Sequence, residues 1–175
     1  MFFLFLYVIG RYDDILVGES RAKWMEVANS GGFLGEYRHT LDAKNRLIVP
    51  AKFRELLSDT FYVTRGLDGC LAGYTAESWR DQMAQLAKLP STNRKVRQYV
   101  RSITSKAQEC KLDSQGRLQL PQFLVDLAGI EKTCVIVGVS DHFEIWSEER
   151  WISFDEEAGD VFEDDAESMT EFLQV

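Results

Sequence analysis

The segment LDAKNRLIVP at residues 41–50 returns as LDSQGRLQLP at residues 112–121, an offset of 71 positions. In both copies an Asp lies four positions before an Arg, and a Pro closes the segment. The likeness continues after a one-residue insertion, where GLDGCLAGY at 66–74 matches GVSDHFEIW at 138–146. This period is too long, and two copies are too few, for a solenoid of stacked repeats. We therefore expect two pseudo-symmetric halves that share one core.

Each repeated segment predicts a β-hairpin with a tight turn. Residues 36–41, EYRHTL, alternate like a half-buried strand, and RLIVP at 46–50 is rich in β-forming residues. Between them, DAKN has the composition of a turn, in which the Asp can accept backbone N–H groups and the Asn tolerates the left-handed conformation. We assign a structural role in the two turns to Asp42, Asn45, Asp113, Gly116 and Arg117.

Further elements follow in the same order in both halves. Pro50 and Pro121 precede short apolar helices, and the second of these ends at Gly129. FYVTRGL with CLAGY, and TCVIVGV with HFEIW, predict two more strand pairs. Thr75 and Ser147 are suited to cap the helices that come next. The expected fold class is α+β, rich in β-strands, with flanking helices.

A basic segment, STNRKVRQYVRSITSKA at 91–107, connects the two halves. Its apolar residues fall on one face at helical spacing and its arginines on the other, so it predicts an amphipathic helix. The arginine face is either solvated or turned towards phosphates or a partner. From Phe154 onward the chain is rich in acids, with Phe162, Met169, Phe172 and Leu173 spaced as in a weak amphipathic helix. Disorder is the alternative for this tail.

The net charge of -8 is unevenly distributed. Residues 141–175 contain thirteen acidic residues and one Arg, a net charge of -12, so residues 1–140 carry +4. The acidity belongs to the tail, and it does not exclude a nucleic-acid partner for the rest of the chain.

Composition and motifs disfavour several classes of protein. Three scattered cysteines without a C-x-x-C pair indicate a reducing cytosol and neither disulfides nor a zinc site. There is no phosphate-binding loop, dinucleotide fingerprint or H-E-x-x-H motif, and His39 and His142 lie in no catalytic pattern. We expect no catalytic residue, no metal or other cofactor, and no small-molecule substrate.

The N-terminal residues, MFFLFLYVIG, are too few to span a membrane and lack a signal-peptide pattern. We expect no membrane partner. Met25 offers another possible start, and we expect residues 1–32 to be a misplaced translation start or an added leader that is not native.

The first hairpin concentrates positive charge on a short, rigid unit. Its candidate DNA contacts are Arg38, Lys44, Arg46, Lys52 and Arg54. A β-turn that projects Lys and Arg can approach a groove, where these side chains bind phosphates or guanine edges. The second copy has uncharged residues in place of three of these cations: Gln115 for Lys44, Phe123 for Lys52 and Val125 for Arg54. Structure alone therefore does not require those three charges.

Arg46 is different, because its counterpart Arg117 survives beside an Asp four positions earlier. This favours an Asp–Arg pair that holds each turn. On the internal comparison Lys44 ranks first as a DNA contact, and Arg46 has either one role or both.

The same residues carry a resemblance to the MraZ family of transcriptional regulators. It covers residues 33–151 and includes GEYRHTLDAKNRLIVPAKFR, TRGLDGCL, ECKLDSQGRLQLPQ and FEIWSEERW. The resemblance implies two AbrB/SpoVT-like units that wrap into one pseudo-dimeric barrel of the swapped-hairpin or double-psi type. It also implies ring-shaped homo-oligomers that bind direct repeats in double-stranded promoter DNA. Such proteins chiefly repress their own division and cell-wall gene cluster.

Carried onto this chain, the resemblance makes Arg46, together with Lys44, a leading candidate for DNA contact. It also implies a cytoplasmic, nucleoid-associated protein. The family usually has Gly where this chain has Asn45. The expected units are an extension at 1–32, SpoVT/AbrB-like domains at 36–78 and 107–150, connecting helices at 79–106, and an acidic tail at 151–175. A rival hypothesis is a protein-interaction or antitoxin-like module that acts through this tail.

Overall fold

The strands of this protein are three to seven residues long, and the longest, TCVIVGV at 133–139, is largely apolar and buried from Cys134 to Ile136. A computed structural model describes residues 31–173. The strands are β1 (Glu36–Thr40), β2 (Arg46–Ile48), β3 (Phe61–Arg65), β4 (Leu71–Thr75), β5 (Gln108–Cys110), β6 (Arg117–Gln119), β7 (Thr133–Val139) and β8 (His142–Ser147). The helices are α1 (Ala51–Leu56), α2 (Ala76–Ala87), α3 (Arg94–Thr104), α4 (Gln122–Ala128) and α5 (Glu148–Leu173).

The strands form two sheets, and the order of strands reflects the sequence repeat. One sheet has the order β1-β7-β8-β4-β3-β5, and the other pairs β2 with β6. Every neighbouring pair is antiparallel. Exchanging the two halves maps β1 onto β5, β3 onto β7 and β4 onto β8, so the larger sheet has the same order from either end. The α+β class and the pseudo-symmetry are thus confirmed, while closure of the sheets into a barrel stays a prediction.

The predicted hairpin is correct in its turn and wrong in its strand pairing. The Asp42 N–H donates to the Arg46 carbonyl at 2.9 Å, which closes the turn. The two flanking strands then diverge, since β1 pairs with β7 and β2 pairs with β6 of the other half. A lone hairpin with a three-residue strand is marginally stable in water. Pairing across the halves instead buries Leu47 opposite Leu118, at 1% and 0% exposure.

The hydrophobic core is shared by both halves. Aromatic rings cross it in edge-on or tilted contacts, with Phe33 and Phe53 centroids 5.1 Å apart and Phe53 and Phe143 centroids 5.9 Å apart. A second, smaller cluster contains Trp146 and Trp151 and lies under the start of α5. Since the main cluster draws on residues from 33 to 145, neither half has a core of its own.

The helices largely follow the sequence expectations. Thr75 caps α2 by accepting the Ser78 N–H at 3.0 Å, and Gly129 ends α4 with a left-handed φ of 64°. The connecting segment forms α3, which is tied to β3 by the hydrogen bond from Thr64 Oγ1 to the Ile103 carbonyl at 2.7 Å. The acidic tail is helical, as part of α5. Within residues 31–173, no helix has the length and hydrophobicity needed to cross a membrane. The hypothesis about residues 1–32 lies, except for the last two, outside the described residues.

Candidate nucleic-acid interface

The first turn is organised by the Asp42 carboxylate. Its Oδ1 accepts the backbone N–H groups of Lys44 at 2.8 Å and Arg46 at 3.0 Å. Its Oδ2 accepts the Arg46 guanidinium, with 2.7 Å to Nε and 2.6 Å to Nη2. Asn45 adopts the left-handed conformation at φ 56°. The Asx turn thus fixes the backbone on both sides of Lys44, whose side chain is exposed at the tip.

The second turn repeats this geometry almost atom for atom. Asp113 Oδ1 accepts the N–H groups of Gln115 at 2.9 Å and Arg117 at 3.0 Å, and Oδ2 accepts Arg117 Nε at 2.7 Å. Gly116 takes the left-handed position at φ 74°. A structural role for the turn residues stays a prediction, and these hydrogen bonds identify the atoms through which each Asp would hold its turn.

These contacts shift the ionisation of the turn carboxylates. The side-chain hydrogen bond from Arg46 is the largest cause that lowers the pKa of Asp42 far below its ordinary value of 3.8. For Asp113 the backbone N–H of Arg117 is the largest cause of a lowered pKa. The same pairing raises the pKa of Arg46 above its ordinary value, so the Asp42–Arg46 pair is fully charged at neutral pH.

The two turns interlock through backbone hydrogen bonds related by the pseudo-symmetry. The Val49 N–H donates to the Gly116 carbonyl at 3.1 Å, and the Leu120 N–H donates to the Asn45 carbonyl at 2.9 Å. Each turn is therefore supported by the strand that follows the other turn. As a result, the two tips are held in one rigid arrangement.

The helices from opposite halves complete the turns in different ways. The Asn45 Nδ2 group donates to Gln122 Oε1 of α4 at 2.8 Å. On the other side, Arg54 of α1 lies over Gly116 so closely that a Cβ on this glycine would collide with the guanidinium. Because the halves exchange strands, Arg54, which the sequence assigns to the first hairpin, lies beside the second turn.

The five candidate contacts are consequently divided into three places. Lys44 and Arg46 share the first turn, Lys52 and Arg54 lie exposed on α1, and Arg38 lies on the edge strand β1. Lys44 makes no ion pair within residues 31–173, whereas Arg46 is paired and its side chain is 27% exposed.

Arg38 is compensated by acidic neighbours. Its guanidinium lies 3.0 Å from Glu36 and 3.7 Å from Glu148. These exposed pairs reduce the positive potential that the side chain can offer to DNA, although each pair is weak in water. Arg38 therefore ranks below Lys44 as a candidate contact.

The sequence reasoning missed three contributors. Gln122 holds the Asn45 side chain by a hydrogen bond. The sequence offered a signal for this role, because the corresponding residue of the first copy, Ala51, has no polar side chain. Lys106 Nζ lies 5.4 Å from the centre of the Phe123 ring. Phe123 is the uncharged counterpart of Lys52, so the second half still has a cation near this position. Arg150 joins the start of α5 to the loop between β3 and β4 and to the end of α4, since its Nη1 donates to the carbonyls of Gly69 at 2.7 Å and Leu127 at 3.2 Å. Spacing along the chain gives no sign of the last contact.

Comparison with known proteins decides the family. The sequence profile described as "MraZ protein, putative antitoxin-like" matches residues 33–102 and again residues 103–173. The chain belongs to the MraZ family. One profile match falls in each half that the repeat predicts, so each half of this MraZ chain matches the family's profile by itself.

Relatives of this MraZ chain are similar over most of its length. The "Transcriptional regulator MraZ" of Ligilactobacillus salivarius is 56% identical over 140 residues, covering 80% of this chain and 98% of the relative. That of Lactiplantibacillus plantarum is 53% identical over 140 residues, covering 80% and 99%. That of Lactobacillus helveticus is 48% identical over 137 residues, covering 78% and 96%.

Proposed function

We propose that this chain is a sequence-specific DNA-binding transcriptional regulator whose first turn contacts double-stranded DNA. The observation that carries this proposal is the difference between two turns of the same geometry. Both hold their backbones with the same carboxylate contacts, yet the first presents Lys44 at its tip and the second presents Gln115. The Lys44 charge is not needed for the turn and is available to a partner. The names of the relatives support a regulator.

In this proposal Lys44 and Arg46 have complementary tasks. Lys44 is a mobile point charge that suits phosphate oxygens. The pair with Asp42 uses Nε and Nη2 of Arg46, which leaves its Nη1 group outside the pair and holds the guanidinium plane in place. An oriented guanidinium suits guanine edges or a phosphate. Lys52 and Arg54 extend the positive surface along α1, and Arg38 contributes least.

Assembly would convert a weak contact into a specific one. One turn per copy can neutralise few phosphates, so a single copy binds weakly. A ring of copies that contacts direct repeats makes each later contact intramolecular and multiplies affinity. We infer that the protein acts in the cytoplasm, on the nucleoid, and chiefly represses its own division and cell-wall gene cluster.

The experiment that tests this proposal exchanges the tip residues of the two turns. Binding to the duplex upstream of the gene is measured by fluorescence anisotropy at about 50 and 200 mM salt, with a scrambled duplex as reference. Lys44→Gln gives the first turn the tip of the second, and we expect affinity to fall about tenfold or more. We also expect the log–log salt slope to become shallower by about 0.9 per lost phosphate contact in each bound copy.

The matched control is Gln115→Lys in the Lys44→Gln background. This variant has the wild-type net charge, and we expect it to leave specific binding lost because the second turn is not the contact. Equal affinity of wild type and Lys44→Gln for the upstream duplex, with an unchanged salt slope, would refute the proposal. Thermal melting of each variant confirms that the tip exchange leaves the fold intact.

A further inference from the structure

A cavity lies where the loop between β3 and β4 meets the end of α4 and the start of α5. Its volume of about 350 Å³ falls in the range of small-molecule sites, about 300–1,000 Å³. It shares no residue with the first turn. The lining residues come from all three elements and are Arg65, Gly66, Asp68, Gly69, Leu127 and Arg150.

The guanidinium of Arg150 is held in a fixed orientation at this cavity. Its Nη1 donates to the carbonyls of Gly69 at 2.7 Å and Leu127 at 3.2 Å. The edge formed by Nε and Nη2 donates to no acceptor within residues 31–173. Two parallel N–H groups on one edge match two oxygens of a phosphate or a carboxylate. The side chain is therefore pre-oriented for an oxyanion.

The charge of Arg150 is not needed for the contact that its Nη1 makes. Ser78 lies 72 positions earlier, the offset that relates the halves in this region. Its hydroxyl donates to the Asp141 carbonyl at 3.1 Å, and Asp141 likewise lies 72 positions after Gly69. A neutral hydroxyl thus joins helix to loop in one half, and a guanidinium does so in the other. The additional donors and the charge of Arg150 are left for another partner.

Arg65 supplies a second cation to the cavity. It is exposed at the end of β3, and its side chain makes no hydrogen bond or ion pair with any residue of the described range 31–173. In strand register Gly138 takes its place, one position from the match in the sequence alignment, since each pairs with the equivalent residue of the next strand. A Cβ on Gly138 would collide with the backbone of Phe33 and Leu34. The chain itself therefore fills the equivalent place in the second half.

Asp68 restricts the kind of oxyanion that suits the cavity. Its carboxylate borders the same space and forms no ion pair with either arginine among the described residues. A bare anion gains from the two guanidinium groups and is repelled by this carboxylate. A phosphate monoester carries a charge of about −1.5 to −2 at neutral pH, which two arginines match. Hydroxyl groups beside the phosphate would give Asp68 donors to accept.

We propose that this cavity binds a small phosphate monoester that carries hydroxyl groups. Arg65 and the Nε–Nη2 edge of Arg150 hold the phosphate, and Asp68 accepts a hydrogen bond from a hydroxyl of the ligand. A DNA phosphodiester has a single charge and no such hydroxyl, so it is the poorer match. The proposal does not rest on DNA contact through the first turn.

Isothermal titration calorimetry of the full chain tests the site, with glycerol 3-phosphate and glucose 6-phosphate as probes in a phosphate-free buffer. We expect saturable binding of at least one ester with a Kd below about 1 mM. Inorganic phosphate should bind at least about tenfold more weakly, because it brings no carbon-bound hydroxyl to Asp68. Glucose, which has no phosphate, should give no heat of binding.

The two arginines are tested by neutral substitutions. Arg65→Gln and Arg150→Ser should each weaken binding of the ester about tenfold or more, because each removes a charge-assisted contact. Arg150→Ser gives the second half the residue that the first half has at this place. Arg94→Gln, at an exposed arginine of α3, is the matched control and should bind as the wild type does. Circular dichroism checks that each variant is folded, and Arg65→Gln decides alone if Arg150→Ser is not.

Asp68→Asn tests the class of ligand. Asn tolerates the left-handed backbone at φ 53° and removes the negative charge. We expect inorganic phosphate to bind this variant more tightly than it binds the wild type, and the preference for the ester to shrink.

Three results would overturn the proposal. The site is refuted if neither ester shows saturable binding up to about 10 mM. Wild-type affinity in Arg65→Gln would place the bound ester elsewhere. An unchanged preference for the ester in Asp68→Asn would remove the role of the hydroxyl and with it the ligand class. Lys44→Gln should bind the ester as the wild type does, so failure of this site and failure of the DNA contact are separate results.

Discussion

The turn at residues 42–46 and the turn at 113–117 share a skeleton and differ in what they present. In both, one carboxylate accepts two backbone N–H groups and an Arg guanidinium, with matching distances that agree within 0.1 Å. At the tip, Lys44 and Asn45 stand where the second turn has Gln115 and Gly116. The comparison teaches that the geometry depends on the Asp and Arg and tolerates a change at the tip. Residues that differ between the copies are therefore the ones to examine for function.

The surroundings of the turns differ as well. The first turn receives Gln122 from the second half, and the second turn receives Arg54 from the first half. Because the halves exchange strands, a side chain encoded in one copy acts on the turn of the other. The two turns therefore differ most in charge at their tips, where the first has Lys44 and the second has Gln115, and less in the side chains that pack beside them.

The largest effect is expected where the two copies meet in the core. Leu47 and Leu118 are fully buried register partners, so Leu47→Ala and Leu118→Ala should each lower the free energy of unfolding by about 2–5 kcal/mol. We expect similar losses for the two, measured by urea denaturation. Ile48→Ala, at a site that is 52% exposed, is the control and should cost far less. Unequal losses of unfolding free energy for the two leucines would show that the two copies are not structurally equivalent.

A smaller effect is expected from exchanging the left-handed residues. Gly116→Asn places a side chain against Arg54 at φ 74° and should cost about 1 kcal/mol, which lowers Tm by roughly 2–4 °C. Asn45→Gly relieves a left-handed Asn but removes the hydrogen bond to Gln122, so Tm should hardly change. Equal drops in Tm for both variants would show that the flanks of the turns are alike after all.

The smallest effect is expected in acid, because both turn carboxylates are exposed and screened by solvent. Their pKa values are lower in the folded protein than the ordinary 3.8, so their stabilisation is present above that pH and is lost as pH falls. Asp42→Asn and Asp113→Asn should each flatten the fall in unfolding free energy that begins as pH drops below about 5 and continues below 3.8 towards the lowered folded-state pKa. The full wild-type pH dependence in either variant would contradict a structural pair in that turn.

Much of the fold could be predicted because it depends on local residue patterns. The β3–β4 and β7–β8 pairs, the capping of α2 by Thr75 and the end of α4 at Gly129 all follow from residues near each other in the chain. The hairpin went wrong for a physical reason. A turn constrains four or five residues, but the partner of each flanking strand depends on which surface buries more apolar area across the molecule.

The candidate site also has features that could be predicted from the sequence and features that could not. The Asp–Arg spacing and the asymmetry between Lys44 and Gln115 can be read from the chain. The contacts of Arg54 with Gly116, Asn45 with Gln122, and Arg150 with the carbonyls of Gly69 and Leu127 cannot. Three of these pairs are 62 to 81 positions apart, and Arg150 and Leu127 lie 23 apart on two different helices, so their approach is set by the packing of the elements.

By itself, the sequence determined that this protein is a doubled unit with one charged and one uncharged tip, and that its acidity is confined to the tail. Local spacing is enough for these conclusions, because an Asx turn, a cap or a charge run depends on neighbours along the chain. Only the tertiary structure decided that the halves exchange strands and that the turns support each other. It also decided that the end of α5 leaves the core, because these features depend on contacts between residues far apart in the chain.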